Sequence, residues 1–429
     1  MIVILMALIL SKVAAETPGD SLTLSQSINL ALDNNPTINQ GVSGISISDA
    51  QIEQSQSAFY PDISLSGSYT RLDPVSTFEL LGLGNAELSP HNNYNANLIV
   101  KQTVFDFGRR SRALELAQSG RSSATENVEA QKSNLAYQMV DIFYAILYLR
   151  ENLTVLDSQL IDLHQHLEIT RKKASAGTAT DFEILTTEVR IANTNSQKLD
   201  LNNALQDQET FFRQLTGLRP EIPVTLKGDF TAPLIEIDED SLISAAYEQL
   251  PEMQMAKIAE SGAMLQEKLA SLGDKPTVGL NISLGYKNGF EPDIDEVRAN
   301  WAATVGLQVP IFNGFLTRGK VRQARANHQA ALYRIDDIKR RATAGIEQAI
   351  SWFSTSKSKL QNSEPQVRQA EEAVKLAHTR YDAGTATNLD LLDAETALAN
   401  ARLIRLKAMY DLVRSSYSLE KASGAKIWE

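Results

Sequence analysis

The chain has 429 residues, 43% hydrophobic and 22% charged, with a formal net charge of -11. Its length and apolar content exclude a disordered polymer, and an acidic balance argues against a nucleic-acid partner, which selects clustered Lys and Arg. With no cysteine, disulfides, thiolate metal sites, thiol nucleophiles and a lipid-modified N-terminal Cys are all excluded, so any membrane attachment must come from the fold.

Residues 1–10 are almost purely apolar and lead to Val13-Ala14-Ala15-Glu16, small residues where a signal peptidase would cut. Residues 1–15 therefore read as an export signal, although Lys12 follows the apolar run instead of preceding it. The run is too short to span a bilayer, and no later segment has the roughly twenty apolar residues of a transmembrane helix. If the chain enters a membrane, it does so as strands.

A helix is expected over Ser25 to Phe59, then a β-hairpin over 62–105. In its first strand Ile63, Leu65, Gly67 and Tyr69 alternate with Ser64, Ser66, Ser68 and Thr70, and in its second Tyr94, Ala96, Leu98 and Val100 alternate with Asn93, Asn95 and Asn97. Arg71 to His91 between them reads as a loop. Arg109 to Lys173 has no Pro and one Gly, so it can run as one helix of about 100 Å. Ile146, Leu149, Leu153, Leu156, Leu160, Leu163 and Leu167 follow the 3,4 spacing of a coiled-coil seam. After a tight turn at 174–180, a helix is predicted over Asp181 to Leu215.

An irregular, Pro-containing linker spans 218–240. Beyond it come a helix near Asp240 to Leu272 and a second hairpin over 276–312. There Val278, Leu280, Ile282 and Leu284, then Trp301, Ala303, Val305, Leu307, Val309 and Ile311, form the apolar faces. A long helix follows from Leu316 to Asp382, where a kink or strained turn is expected at Pro365. A turn at 382–387, a helix over Asn388 to Ala422 and a tail at 425–429 complete the chain. Leu389, Leu392, Thr396, Ala399, Leu403 and Leu406 repeat the seam spacing.

The two halves are copies. Ala176-Gly177-Thr178-Ala179-Thr180 recurs as Ala383-Gly384-Thr385-Ala386-Thr387, and Phe105-Asp106 recurs as Phe312-Asn313; both offsets are 207 (383 − 176, 312 − 105). Pro36 pairs with Pro251 and Pro61 with Pro276 at an offset of 215, so the first copy carries a longer hairpin loop. The repeats are 16–217 and 241–424.

All four strands have the length and apolar-out, polar-in alternation of a transmembrane β-barrel, which makes Leu65, Leu98, Val100, Leu280, Ile282, Val305 and Leu307 candidates to face lipid. A soluble sheet packed on a core would alternate in the same way. Four strands cannot close a barrel, and open edges are not tolerated in lipid, so several chains must pool them; a trimer supplies 3 × 4 = 12. The fold class is thus mixed α and β, built from two internal repeats: a trimeric 12-stranded transmembrane β-barrel continued by a long α-helical coiled-coil barrel.

At the turns, Gly177 and Gly384 suit the left-handed position that ends a helix. Thr180 with Glu183, and Thr387 with Asp390, match the capping pair that starts the next. Leu22-Thr23-Leu24, Ala31-Leu32-Asp33-Asn34-Asn35-Pro36, Phe59-Tyr60-Pro61, Phe105-Asp106-Phe107-Gly108-Arg109 and Tyr381 to Asp393 together resemble the landmarks of the TolC-like outer-membrane factor family, over residues 22 to 424. The resemblance implies a homotrimer in the outer membrane, with a long periplasmic α-helical coiled-coil barrel. It also implies a periplasmic adaptor protein and an inner-membrane transporter as partners, with Ala176, Gly177, Thr178, Ala383, Gly384 and Thr385 at the adaptor-contacting tips. The family's pore-narrowing aspartates map onto Asp390 and Asp393, with Glu183 in the first copy and Tyr381 before the turn. A basic latch residue of the family is Ala386 here, so no Arg latch carries over.

Asp106-Phe107-Gly108 spells a kinase metal triplet but lacks every other kinase motif, and reads as a strand-to-helix turn. His164 and His166 point about 200° apart on a helix, unlike ligands four residues apart, and both read as solvated. No catalytic residue, cofactor or metal is expected. Three readings remain: the exit duct of a tripartite efflux or type I secretion system, a soluble periplasmic coiled-coil scaffold, and an autonomous porin.

Overall fold

A computed structural model describes residues 21–80, 84–233 and 237–428, so the expected signal peptide lies outside the described residues. Chain order begins with α1 (Leu24–Asn34) and α2 (Pro36–Ser57), where the sequence predicts one helix. The same correction applies to α5 (Glu239–Gln249) and α6 (Pro251–Ser271). Proline is the cause in both. A residue before Pro is pushed out of the α region, and Asn35 and Leu250 have ψ of 123° and 124°. Pro36 and Pro251 then open new helices at the one position that needs no N–H. Thr23 starts α1 with a capping box, its hydroxyl accepting from the Gln26 amide at 3.3 Å while Gln26 Oε1 accepts from the Thr23 N–H at 2.9 Å.

Four strands, β1 (Asp62–Arg71), β4 (Asn92–Phe105), β5 (Thr277–Lys287) and β6 (Arg298–Gln308), form one antiparallel sheet in the order β1-β4-β5-β6. The segment expected as a plain loop carries a two-stranded hairpin, β2 (Thr77–Leu80) with β3 (Gly84–Glu87). β6 stops at Gln308, leaving Val309 and Ile311 outside the ladder, because Pro310 has no N–H to contribute.

The long helices are α3 (Arg109–Ser175) and α7 (Leu316–Asp382), of 67 residues each, and the shorter ones are α4 (Asp181–Thr216) and α8 (Asn388–Ser423), of 36 each. α7 runs through Pro365 over the full span expected for it. One missing hydrogen bond is a small loss in a helix held by many turns on either side.

The chain divides into two compact units that cut across the repeats. One comprises 41–127 and 252–338. It contains the four-stranded sheet, and it also shows how strand passes to helix. Phe107 and Gly108 have φ of 57° and 82°; their counterparts 207 residues on, Gly314 and Phe315, have 64° and 63°. Both copies make the same two-residue left-handed turn, but glycine occupies opposite positions in it. Asp106 secures the first copy, accepting from the Gly108 and Arg110 amides at 3.1 and 3.0 Å, while Arg110 Nη1 donates to the Thr103 carbonyl at 2.8 Å.

The other unit comprises the described residues through Gln40, with 128–251 and 339–429. Its main core gathers Ile28 of α1, Met139 and Phe143 of α3, Phe212 of α4 and Val413 of α8, all at most 2% exposed. Burying each such side chain contributes about 1.5–3 kcal/mol. The linker adds a parallel bridge, Leu22 N–H to Thr225 carbonyl and Lys227 N–H to Leu22 carbonyl, both 2.9 Å. Further along, Leu160, Leu163 and Leu167 of the expected α3 seam pack with Ile191 of α4 and Leu392 of α8 as a second core.

Candidate channel tips and membrane face

The helix α3 ends at a turn whose geometry is set by one glycine. Gly177 has φ 79°, a conformation costing an L side chain about 1–2 kcal/mol, and the N–H and hydroxyl of Thr178 both donate to the Lys173 carbonyl, at 2.8 and 3.0 Å. The α7–α8 turn reproduces this. Gly384 has φ 74°, and Thr385 gives its N–H and hydroxyl to the Arg380 carbonyl at 2.8 and 3.1 Å. Ala176, Gly177, Thr178, Ala383, Gly384 and Thr385 are all exposed.

On the far side of each turn a threonine starts the next helix. Thr180 accepts from the Glu183 amide at 3.4 Å. Thr387 makes a full capping box, with Asp390 Oδ2 accepting from the Thr387 N–H at 2.8 Å and hydroxyl at 2.7 Å. These bonds, the backbone one foremost, hold the Asp390 pKa below its ordinary value. Asp393 is engaged differently: Arg190 of α4 donates to it at 2.7 Å. Glu183 is half-buried, and Tyr381 is buried with its hydroxyl unpartnered. The aspartates thus carry distinct local bonds, one within its own helix cap and one across to α4.

One expectation fails here. His164 is exposed, but His166 is 3% exposed and not solvated. It lies three residues after Leu163 and one before Leu167, which puts it on the edge of the seam, and that phase is the signal that marks it as inside. Its Nε2 meets Asn388 Oδ1, and its ring lies 5.4 Å from Tyr381. Neither Asn388 nor the buried Glu395, which faces His378 at 3.4 Å, stands out in the sequence.

At the sheet, register decides what the alternation achieves. Leu65, Leu98, Leu284 and Trp301 lie in one row across the four strands, and Ile63, Val100, Ile282 and Ala303 in the next. Leu280 pairs with Val305, and Val278 with Leu307. The result is one continuous apolar face. Leu65, Val305 and Leu307 are 79%, 72% and 68% exposed within the single chain, while Val100, Leu280 and Ile282 are half-buried. Exposed apolar area of this extent marks a surface made for lipid or a partner. Polar residues form the reverse face, including the row Asp62, Lys101, Asn281 and Thr304. No helix among the described residues is long and apolar enough to cross a membrane.

A family model described as "Outer membrane efflux protein" matches residues 27–218 and 242–425, one stretch on each repeat. The chain belongs to that family. Among relatives, it is 22% identical over 410 residues to the outer membrane efflux protein BepC of Brucella suis, covering 94% of this chain and 86% of that one. It is 21% identical over 427 residues to the outer membrane protein TolC of Escherichia coli, covering 94% and 83%. Among solved structures, the outer membrane protein VceC of Vibrio cholerae matches with a TM-score of 0.79 at 20% identity, covering 95% and 97%. As an outer membrane efflux protein, the chain is an exit channel of the outer membrane that extends into the periplasm.

Proposed function

We propose that three copies of this chain close a twelve-stranded barrel in the outer membrane and conduct substrates passively from an adaptor and an inner-membrane pump to the exterior, in tripartite efflux or type I secretion. The observation that carries this reading is the sheet. β1 and β6 each have one neighbour, their shared face is apolar and exposed, and an even number of antiparallel strands lets β6 of one copy pair with β1 of the next. Lipid contact demands that such edges be closed.

In this reading Asp390, Asp393, Glu183 and Tyr381 stand at the periplasmic constriction, and the two Gly-Thr turns meet the adaptor. This reading assigns the chain no cofactor, metal or catalytic step. Close rings of carboxylates would favour cations.

Particle mass in mild detergent, measured before and after heating, tests the assembly: a trimer that dissociates on heating is expected, and a stable monomer with intact β-structure would sink it. Planar-bilayer recording tests the tip. Asp390→Asn with Asp393→Asn should leave the trimer assembled while lowering cation selectivity and block by multivalent cations. Unchanged selectivity and block would make both acids structural.

A further inference from the structure

Asn388, the first residue of α8, is buried and reaches two other helices. Its amide nitrogen lies 3.5 Å from the Glu183 carbonyl of α4, which can only accept, so its amide oxygen turns to His166 Nε2 on α3. That oxygen also accepts. The imidazole proton therefore sits on Nε2, and Nδ1 is bare in the neutral ring. One amide and one neutral histidine join three helices directly behind the exposed turn of Ala383 to Thr385.

The groups around this ring are mostly cationic. Lys173 of α3 holds Nζ 3.7 Å over the Tyr381 ring, against which the imidazole packs, and His378 of α7 adds to it. The N-terminus of α8 presents its positive end. Glu183 of α4 pulls the other way. Of the acids on α8, Asp390 is turned to Thr387, Asp393 to Arg190 and Glu395 to His378.

We propose that His166 is an acid-released clasp: neutral, it holds α8 to α3 and α4 through Asn388; protonated, it is a buried cation facing Lys173, His378 and a helix N-terminus, and the contact opens. Protonation at Nδ1 leaves the Nε2 donor in place. Release therefore comes from repulsion and from burying charge, not from loss of that hydrogen bond. Burial, the largest cause, holds the His166 pKa below the ordinary imidazole value. The sign follows: the clasp is complete above the unfolded-state value of about 6.5 and weakens as pH falls from there through the lower folded value. Glu395 titrates with the opposite sign, because burial raises its pKa and acid then favours its contact.

The clasp deepens the reading of this tip as the constriction, but its test does not depend on conduction. Hydrogen exchange of the full-length protein in detergent, read on peptides covering 376–392 and corrected for the chemical rate, should show a loss of protection between pH 7.5 and 5.5. His166→Gln keeps an amide donor that cannot charge, and its protection should stay flat. Lys173→Met removes a cation that repels the charged ring and should make the loss smaller, while Glu395→Gln should leave it in place. An acid response that survives in His166→Gln, or that is no smaller in Lys173→Met, overturns the proposal. Should His166→Gln fail to assemble, Lys173→Met decides alone.

Discussion

Arg190 of α4 grips α8 at three points: Asp393 at 2.7 Å, the Thr396 hydroxyl at 2.6 Å and the Leu392 carbonyl at 3.3 Å. A planar guanidinium can serve three acceptors at once where an ammonium cannot hold the same fan of directions. Because the Asp393 side chain is 62% exposed, its charge contributes modestly. Asp393→Asn should cost about 0.2–1 kcal/mol. Arg190→Met, which strips all three acceptors, should cost more, and Arg190→Lys should not restore the difference. Urea unfolding of the single and double variants measures the coupling, and strictly additive effects would mean that the pair does not hold the helices together.

The two faces of β5 give adjacent residues opposite tolerance. Leu280→Lys should hinder assembly by about 2–4 kcal/mol near the membrane midplane, and Asn281→Lys should be accepted. Equal damage from both would mean that the faces are misassigned. Gly285 is a sharper test of register. A methyl group there would overlap the Ala96 carbonyl, a backbone atom with no freedom to yield, so Gly285→Ala should shift the β4–β5 pairing that unites the two hairpins. Loss of the trimer from unheated samples in mild detergent is the expected result.

Glycine substitutions should split by sign. Gly120 sits inside α3 with open space around it, so Gly120→Ala should stabilise by about 0.5–1 kcal/mol through helix propensity. Gly384 also has open space but a φ of 74°, so Gly384→Ala should destabilise by about 1–2 kcal/mol for backbone reasons alone. Thermal unfolding separates them, and shifts of the same sign would contradict the argument.

A second histidine should respond to pH in the opposite sense to His166. His328 of α7 lies 2.7 Å from Glu260 and 3.4 Å from Glu267 of α6, and these bonds, the one to Glu260 foremost, raise its pKa. Its contribution is therefore full below the unfolded value near 6.5 and is lost as pH rises through the folded value. Exchange protection of peptides covering 255–270 should be greater at pH 6 than at pH 8.5 in the wild type, and independent of pH in His328→Gln.

Much of the fold was legible because it rests on local rules. Period-two alternation fixed the strand faces, and the register then set Leu65 beside Leu98 and Leu280 beside Val305, apolar on apolar. The turns followed from Gly177, Gly384 and their threonines. Pro36 and Pro251 were visible as landmarks of the repeat, yet the same ring chemistry that makes them landmarks also stops the preceding helix. The tip's polar bonds were harder to see. Arg190 and Asp393 are 203 residues apart, and His166 and Asn388 222 apart, distances at which no spacing rule connects a donor to its acceptor. His166 departs from the solvated position its polarity suggests because its helical phase, beside Leu163 and Leu167, places it inside.

The unit that holds α1 also holds α8, and Tyr137 near the middle of α3 closes on the Ala425 carbonyl at 3.0 Å across 288 residues. A ribosome delivers these parts at opposite ends of its work. Ile28, Met139, Phe143 and Phe212 can meet before α8 is delivered, but their unit is finished only when Val413 of α8 has emerged, long after the unit of 41–127 and 252–338 is complete. Trimming a few residues from the chain's C-terminus should be punished by proteolysis far more heavily than its small share of the sequence implies.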